Sequence, residues 1–169
     1  MRIFLGIDPG KSGGIAVIGE GGKVYQACRM PERGRAMLDM FGRELVGLMR
    51  FGKFEAVATV EHVWSMPGQG HGGAFDFGRS VESVQMGLVA SDIPFGLVIP
   101  RKWQAALSVK YPKGSSDVEK KNITKARAAK LFPRIAVTHA IADALLLAEY
   151  CRRLHLGLLS KSVTRKGRR

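Results

Sequence analysis

The stretch Thr138-His139-Ala140-Ile141-Ala142-Asp143-Ala144-Leu145-Leu146-Leu147-Ala148 decides how the rest of the chain is read. From Ala140 to Ala148 every residue is apolar except Asp143. Good helix formers, with Arg152 and Arg153 near the end and Gly157 beyond, predict a buried helix from about Thr138 to Leu156. A lone carboxylate in such a helix is costly to desolvate unless a hydrogen bond, a cation or a metal meets it. His139, four residues earlier, shares its face. Two upstream carboxylates are placed alike. Asp8, in Phe4-Leu5-Gly6-Ile7-Asp8-Pro9-Gly10, and Glu61, in Ala56-Val57-Ala58-Thr59-Val60-Glu61, each end an apolar run that reads as a buried strand.

The size and charge of the chain narrow the classes. Its 169 residues suit one domain with a sizeable core, expected over residues 1–159, followed by a basic, flexible tail at 160–169. The balance of 27 Lys and Arg against 14 Asp and Glu gives +13. The tail holds Lys161, Arg165, Lys166, Arg168 and Arg169, which leaves +8 on the rest. A polyanion partner follows, nucleic acid ahead of an anionic membrane surface. Cys28 and Cys151 stand far apart in predicted regular elements, which excludes a disulfide framework or zinc knuckle and fits a reducing cytosol. No run reads as a signal core or a membrane span. A cytoplasmic location, bacterial or in a phage-infected host, is the expectation.

In chain order, strands are predicted at Arg2 to Asp8, Ile15 to Ile18 and Val24 to Cys28, forming an antiparallel meander. A helix from about Gly34 to Arg50 turns Met37, Leu38, Phe41, Leu45, Leu48 and Met49 inward, and a strand follows at Glu55 to Glu61. Strand, helix, strand implies a parallel pair, so Asp8 and Glu61 meet at the carboxyl end of the sheet if their strands are neighbours. Beyond a glycine-rich loop at Ser65 to Gly73 come a helix at Ala74 to Ser91, a strand at Phe95 to Ile99 and a short turn or helix at Pro100-Arg101-Lys102-Trp103. Ser108 to Asp117, with Lys110, is polar and expected to be mobile. A basic helix from Glu119 to Phe132 carries Lys120, Lys121 and Lys125. The class is α/β, a five-stranded mixed sheet flanked by helices.

Carboxylates at the ends of buried elements suit hard divalent cations, and two such ions can bridge a scissile phosphate. Each residue taken alone also has an ordinary explanation: Asp8 as a turn residue, Glu61 as a solvent-facing strand end, His139 as a cap. Asp143, among apolar neighbours, is hardest to explain that way. Two phosphate-loop matches fail on context. Gly68-Gln69-Gly70-His71-Gly72-Gly73 lies too far past its strand, and Gly10-Lys11-Ser12 is followed by a strand instead of a helix. Trp64 and Phe75 flank the glycine loop, where they either stack on bases or anchor the next helix.

The motifs Phe4-Leu5-Gly6-Ile7-Asp8-Pro9-Gly10 with Ser12-Gly13-Gly14, Val60-Glu61 leading into Met66-Pro67-Gly68-Gln69-Gly70, and Phe77-Gly78-Arg79 together resemble the RuvC-type Holliday junction resolvases. Pro100-Arg101-Lys102-Trp103, Leu131-Phe132-Pro133 and His139 through Tyr150 continue the match, which runs from about Arg2 to Arg153 and is nearest the bacteriophage and chloroplast branch. The resemblance implies an RNase H-like fold, a homodimer, and paired symmetric cuts in a four-way junction with two Mg²⁺ per site. Asp8, Glu61 and Asp143 match the family's metal-binding acids. His139 stands where this branch commonly has a fourth acid, which opens the site to Mn²⁺ or gives it a proton-handling group. The resemblance places Trp64 and Lys121 against DNA and the Ala74 to Ser91 helix as the dimer helix; Phe75, Arg79, Lys110, Lys120 and Lys125 complete the expected DNA-contacting set. Two alternatives stay open: an architectural junction binder without catalysis, and a broader nuclease of flaps, branched DNA or RNA–DNA hybrids.

Overall fold

The structure is a computed structural model that describes residues 1–32, 35–62 and 71–159. Its centre is a five-stranded sheet in the order β3-β2-β1-β4-β5. The strands are β1 (Arg2–Asp8), β2 (Gly14–Gly19), β3 (Val24–Arg29), β4 (Glu55–Glu61) and β5 (Phe95–Val98). The first three pair antiparallel, and β4 lies parallel to both β1 and β5. The meander and the β1–β4 adjacency expected from the sequence are therefore both present.

The two-residue period of β1 splits the core into two layers. Ile3, Leu5 and Ile7 face one side, where they meet Ile15 and Val17 of β2, Phe41 and Leu45, and Val84 and Leu88 of helix α3 (His71–Ala90). Phe4 faces the other side, with Ala16 and Ile18, against α4 (Pro100–Ala106), α5 (Asp117–Leu131) and α6 (His139–His155). Helix α6 covers this second face almost alone, and its residues from Ala144 to Cys151 are all buried.

Close contact between α6 and the sheet depends on missing side chains. A Cβ at Gly6 would collide with the backbone of Ala144 and Ala148, and one at Gly14 would sit 2.6 Å from the carbonyl oxygen of Ala140. The two glycines let the helix backbone lie directly on β1 and β2, which carries Asp143 down to the strand ends.

Two local findings differ from the sequence expectation. The segment predicted as one helix from Gly34 to Arg50 is α1 (Arg35–Leu38), a π-helical stretch (Asp39–Leu45) and α2 (Val46–Gly52). The wider π turn carries Phe41 onto α3, where its ring fills the space left open by Gly87. Helix α5 starts two residues before the expected Glu119, because Ser116 and Glu119 form a reciprocal capping box. At Pro100 the chain takes the helical one of the two expected forms, with proline in its first turn. Cys28 and Cys151 are both free thiols. Among the described residues no helix is long and apolar enough to cross a membrane. The tail expected at 160–169 lies outside the described residues.

Candidate active site

Three of the residues singled out in the sequence converge at the carboxyl end of β1 and β4. The parallel register pairs Ile7 with Val60, so Asp8 and Glu61 follow at adjacent strand ends. Both project toward the α6 side, opposite to Ile7 and Val60. Asp143, on the second turn of α6, completes the group.

Each carboxylate is held in its own way. Asp8 Oδ1 accepts a hydrogen bond from the backbone N–H of Gly10 at 3.2 Å. Its side chain lies against Gly13, where a Cβ would be 2.6 Å from Asp8 Cγ and 2.7 Å from Oδ2. Gly13 therefore has to be bare for this carboxylate to point where it does. Glu61 Oε1 accepts from the indole N–H of Trp103 at 2.8 Å. Asp143 shares a cleft of about 280 Å³ between α5 and α6 with Tyr111, Lys120, Lys121, Thr124 and His139.

Electrostatics tie the three acids together. Burial pushes the Asp8 carboxyl above its usual range, and the Gly10 N–H only partly offsets this. Burial first, then the charge of Asp8, raises Glu61 to about 8; the Trp103 hydrogen bond works against the rise and Asp143 adds to it. Burial, then Asp8, raises Asp143 to about 7, against the pull of Lys121. Three half-buried carboxyls, each raised first by burial and two of them also by the charge of Asp8, form a centre that a cation would relieve.

The donor chemistry fits a hard divalent ion. Among the described residues no three His, Cys, Asp or Glu side chains stand close enough to form a ready-made cage, so the expected set of Asp8, Glu61, His139 and Asp143 is not preassembled. Mg²⁺ does not require such a cage. It keeps several waters and is typically held by one or two carboxylates plus substrate phosphate oxygens.

His139 does share the cleft with Asp143, as its spacing predicted. It is exposed, and its Nε2 lies 3.0 Å from Asn122 Oδ1 of α5. Of the expected DNA contacts, Lys121 is exposed beside Asp143, Lys120 pairs with Asp117 at 3.0 Å, Lys125 is half-buried on α5 and Lys110 is exposed on the preceding loop. Phe75 and Arg79 lie on α3, in the opposite layer. The ring is 66% exposed, with the guanidinium 5.6 Å from its centroid. Trp64 lies outside the described residues. A larger cavity of about 890 Å³ opens between the Gly10–Ser12 turn, Met30 to Glu32 and the start of α3, and none of the three carboxylates lines it.

Sequence reasoning missed Trp103, Asn122 and Tyr111. The Tyr111 hydroxyl lies 2.9 Å from Thr124 Oγ1, which pins the presumed mobile loop to α5. Trp103 had a signal in the sequence, since a tryptophan beginning a helix after a buried strand needs a partner for its N–H, but nothing local pointed to Glu61.

No protein-family model and no curated protein matches this chain. Solved structures do. Thermus thermophilus RuvC in complex with a Holliday junction substrate superimposes with a TM-score of 0.62 at 15% identity, over 95% of this chain and 99% of that one. A second Thermus thermophilus RuvC structure gives 0.60 at 16% identity, over 94% and 99%. The chain thus shares the fold of RuvC, a mixed β3-β2-β1-β4-β5 sheet with flanking helices of the RNase H-like type.

Proposed function

We propose that this chain is a divalent-metal-dependent endonuclease that makes paired cuts in four-way DNA junctions. The observation that carries the reading is the convergence of Asp8, Glu61 and Asp143, from three separate elements, into one electrostatically coupled acidic centre beside a basic helix. A purely structural role accounts poorly for three half-buried carboxyls at one sheet end, two of which the charge of Asp8 raises further. The likeness to RuvC bound to a Holliday junction supports the choice of substrate.

In this reading Asp8, Glu61 and Asp143 hold the metal, and His139 adds a nitrogen ligand or a proton-handling group at the rim. Bound divalent ions supply an activated water and charge stabilisation at the leaving oxygen. The Gly10 N–H orients Asp8, and the Trp103 N–H holds Glu61. Lys121, with Lys120 and Lys125 on the same helix, positions the phosphate backbone and makes binding steeply salt-dependent. Exposed Phe75, Met86 and Val89 on α3 supply an apolar surface for a second copy, which would match the two-fold symmetry of the junction.

The test is nicking of a synthetic immobile four-way junction, with linear duplex and flap controls, in Mg²⁺, Mn²⁺ or EDTA. Paired symmetric cuts confined to the junction and lost in EDTA are expected. Tight junction binding without cuts in either metal would leave an architectural role, and equal cutting of flaps would make the chain a general branched-DNA nuclease.

A further inference from the structure

The contact between Trp103 and Glu61 joins residues 42 positions apart and links α4 to the end of β4. Trp103 is 1% exposed and is among the largest fully buried side chains of the α6-side core. An indole carries a single donor and no acceptor, so its N–H has one use, and here it goes to one oxygen of one candidate metal ligand. Packing on all sides fixes the ring, and a fixed ring fixes the donor direction. A glutamate has three side-chain torsions and would otherwise sample several rotamers at a strand end.

We infer that Trp103 is a positioning residue for Glu61: its indole N–H occupies Oε1, which leaves Oε2 as the oxygen presented to a cation. The inference rests on the metal-dependent reading above. Outer partners of this kind commonly change metal affinity by about 10- to 100-fold when removed, because the ligand must then be ordered at the moment of binding. The same hydrogen bond takes up one lone pair of Oε1 and so favours one-oxygen ligation through Oε2. That suits an ion whose remaining positions go to water and phosphate.

Position 103 is also set by its surroundings. Helix α4 begins immediately after β5, and the N–H of His62, the residue after Glu61, donates to the carbonyl of Val98 on β5 at 2.7 Å. The strand end that carries Glu61 and the helix that carries Trp103 are thus tied by backbone as well as by side chain. On the far side, Arg127 Nε donates to the Leu107 carbonyl at 2.7 Å and anchors the end of α4 to α5.

The test uses the full-length chain, which has two tryptophans and therefore two indole N–H resonances. Trp64→Phe assigns them by removing the one that does not belong to Trp103. In metal-free protein, Glu61→Ala should shift the Trp103 indole resonance. In the second measurement, free Mn²⁺ is followed by electron paramagnetic resonance, and Trp103→Phe should weaken Mn²⁺ binding by about 10- to 100-fold with the circular dichroism of the fold retained. An indole resonance indifferent to Glu61→Ala overturns the assignment even if the Phe variant fails to fold. So does a folded Trp103→Phe variant with wild-type Mn²⁺ affinity and only a lower melting temperature, because that is the behaviour of a core residue. Junction nicking by the wild type is scored separately: a chain that shows both responses but cuts no junction loses the proposed function and keeps the Trp103–Glu61 role.

Discussion

Helix α6 carries two carboxylates six residues apart, Asp143 half-buried and Glu149 buried, and they have opposite fates. Near the helix end, the Glu149 side chain is only 5% exposed. Its Oε1 accepts from Arg152 Nη2 at 2.9 Å and Arg153 Nε at 2.6 Å, and its Oε2 from Arg152 Nε at 2.8 Å. Burial alone would raise its pKa, but the two guanidiniums outweigh burial and hold it below the ordinary range. Arg152 also donates to the Glu20 carbonyl at 2.8 Å, so the pair staples the helix to the β2–β3 turn. Near the helix start, Asp143 meets the charge of Asp8 as well as burial, and Lys121 offsets only part of their effect. Burial of a carboxylate therefore does not mark a site. What separates the two is whether the chain itself supplies the balancing charge: at Glu149 it does so fully, and at Asp143 it does not.

That contrast is breakable in several ways. The largest effect is expected at the acidic centre, where Asp8→Asn should abolish nicking while junction binding stays largely intact. Cutting at the wild-type rate would remove Asp8 from the metal-holding set. Next comes the paired carboxylate. Glu149→Ala strands two guanidiniums and should cost about 3 kcal/mol in urea unfolding, the low end for a broken buried pair because Arg152 and Arg153 keep 17% and 27% of their side chains in solvent. The cutting rate per folded molecule should not change.

The two carboxylates also respond to pH with opposite signs. Glu149 has a lowered folded pKa, so its contribution is present above its unfolded value and is lost as the pH falls through the folded one. Glu61 and Asp143 have raised folded pKa values of about 8 and about 7, so in EDTA the folded chain holds protons that the unfolded chain has released. Stability should therefore fall as the pH rises from the unfolded carboxylate range through 7 and 8, by at most about 1.4 kcal/mol per pH unit for each retained proton. Asp143→Asn should flatten that decline, and a metal-free protein whose urea midpoint is level from pH 6 to pH 9 would contradict the coupling. The smallest effect is expected at the partial counter-charge: Lys121→Ala should lower the slope of log affinity against log salt by about 1 in junction-binding titrations.

What could be read from the sequence was local. Asp8 and Glu61 at the ends of apolar runs, Asp143 alone among apolar neighbours and His139 one turn before it are statements about period and spacing, and strand and helix periods are properties of neighbouring residues. Arg152 and Arg153 were also visible at helical spacing from Glu149, although the partnership needed the carboxylate to be buried before it meant anything. The tertiary structure decided the rest, because it depends on which surfaces meet. The collision that forbids a side chain at Gly6 involves Ala144 and Ala148, far along the chain. The donor to Glu61 lies on a helix in the next layer, and the neighbour of His139 lies on α5. The π-helical stretch at 39–45 likewise reflects how Phe41 packs against α3, which helix propensity does not encode. The sequence by itself determined which carboxylates would be expensive to bury. Only the fold decided which of them the chain would neutralise, because balancing a charge requires a partner within a few ångströms and sequence distance does not measure that.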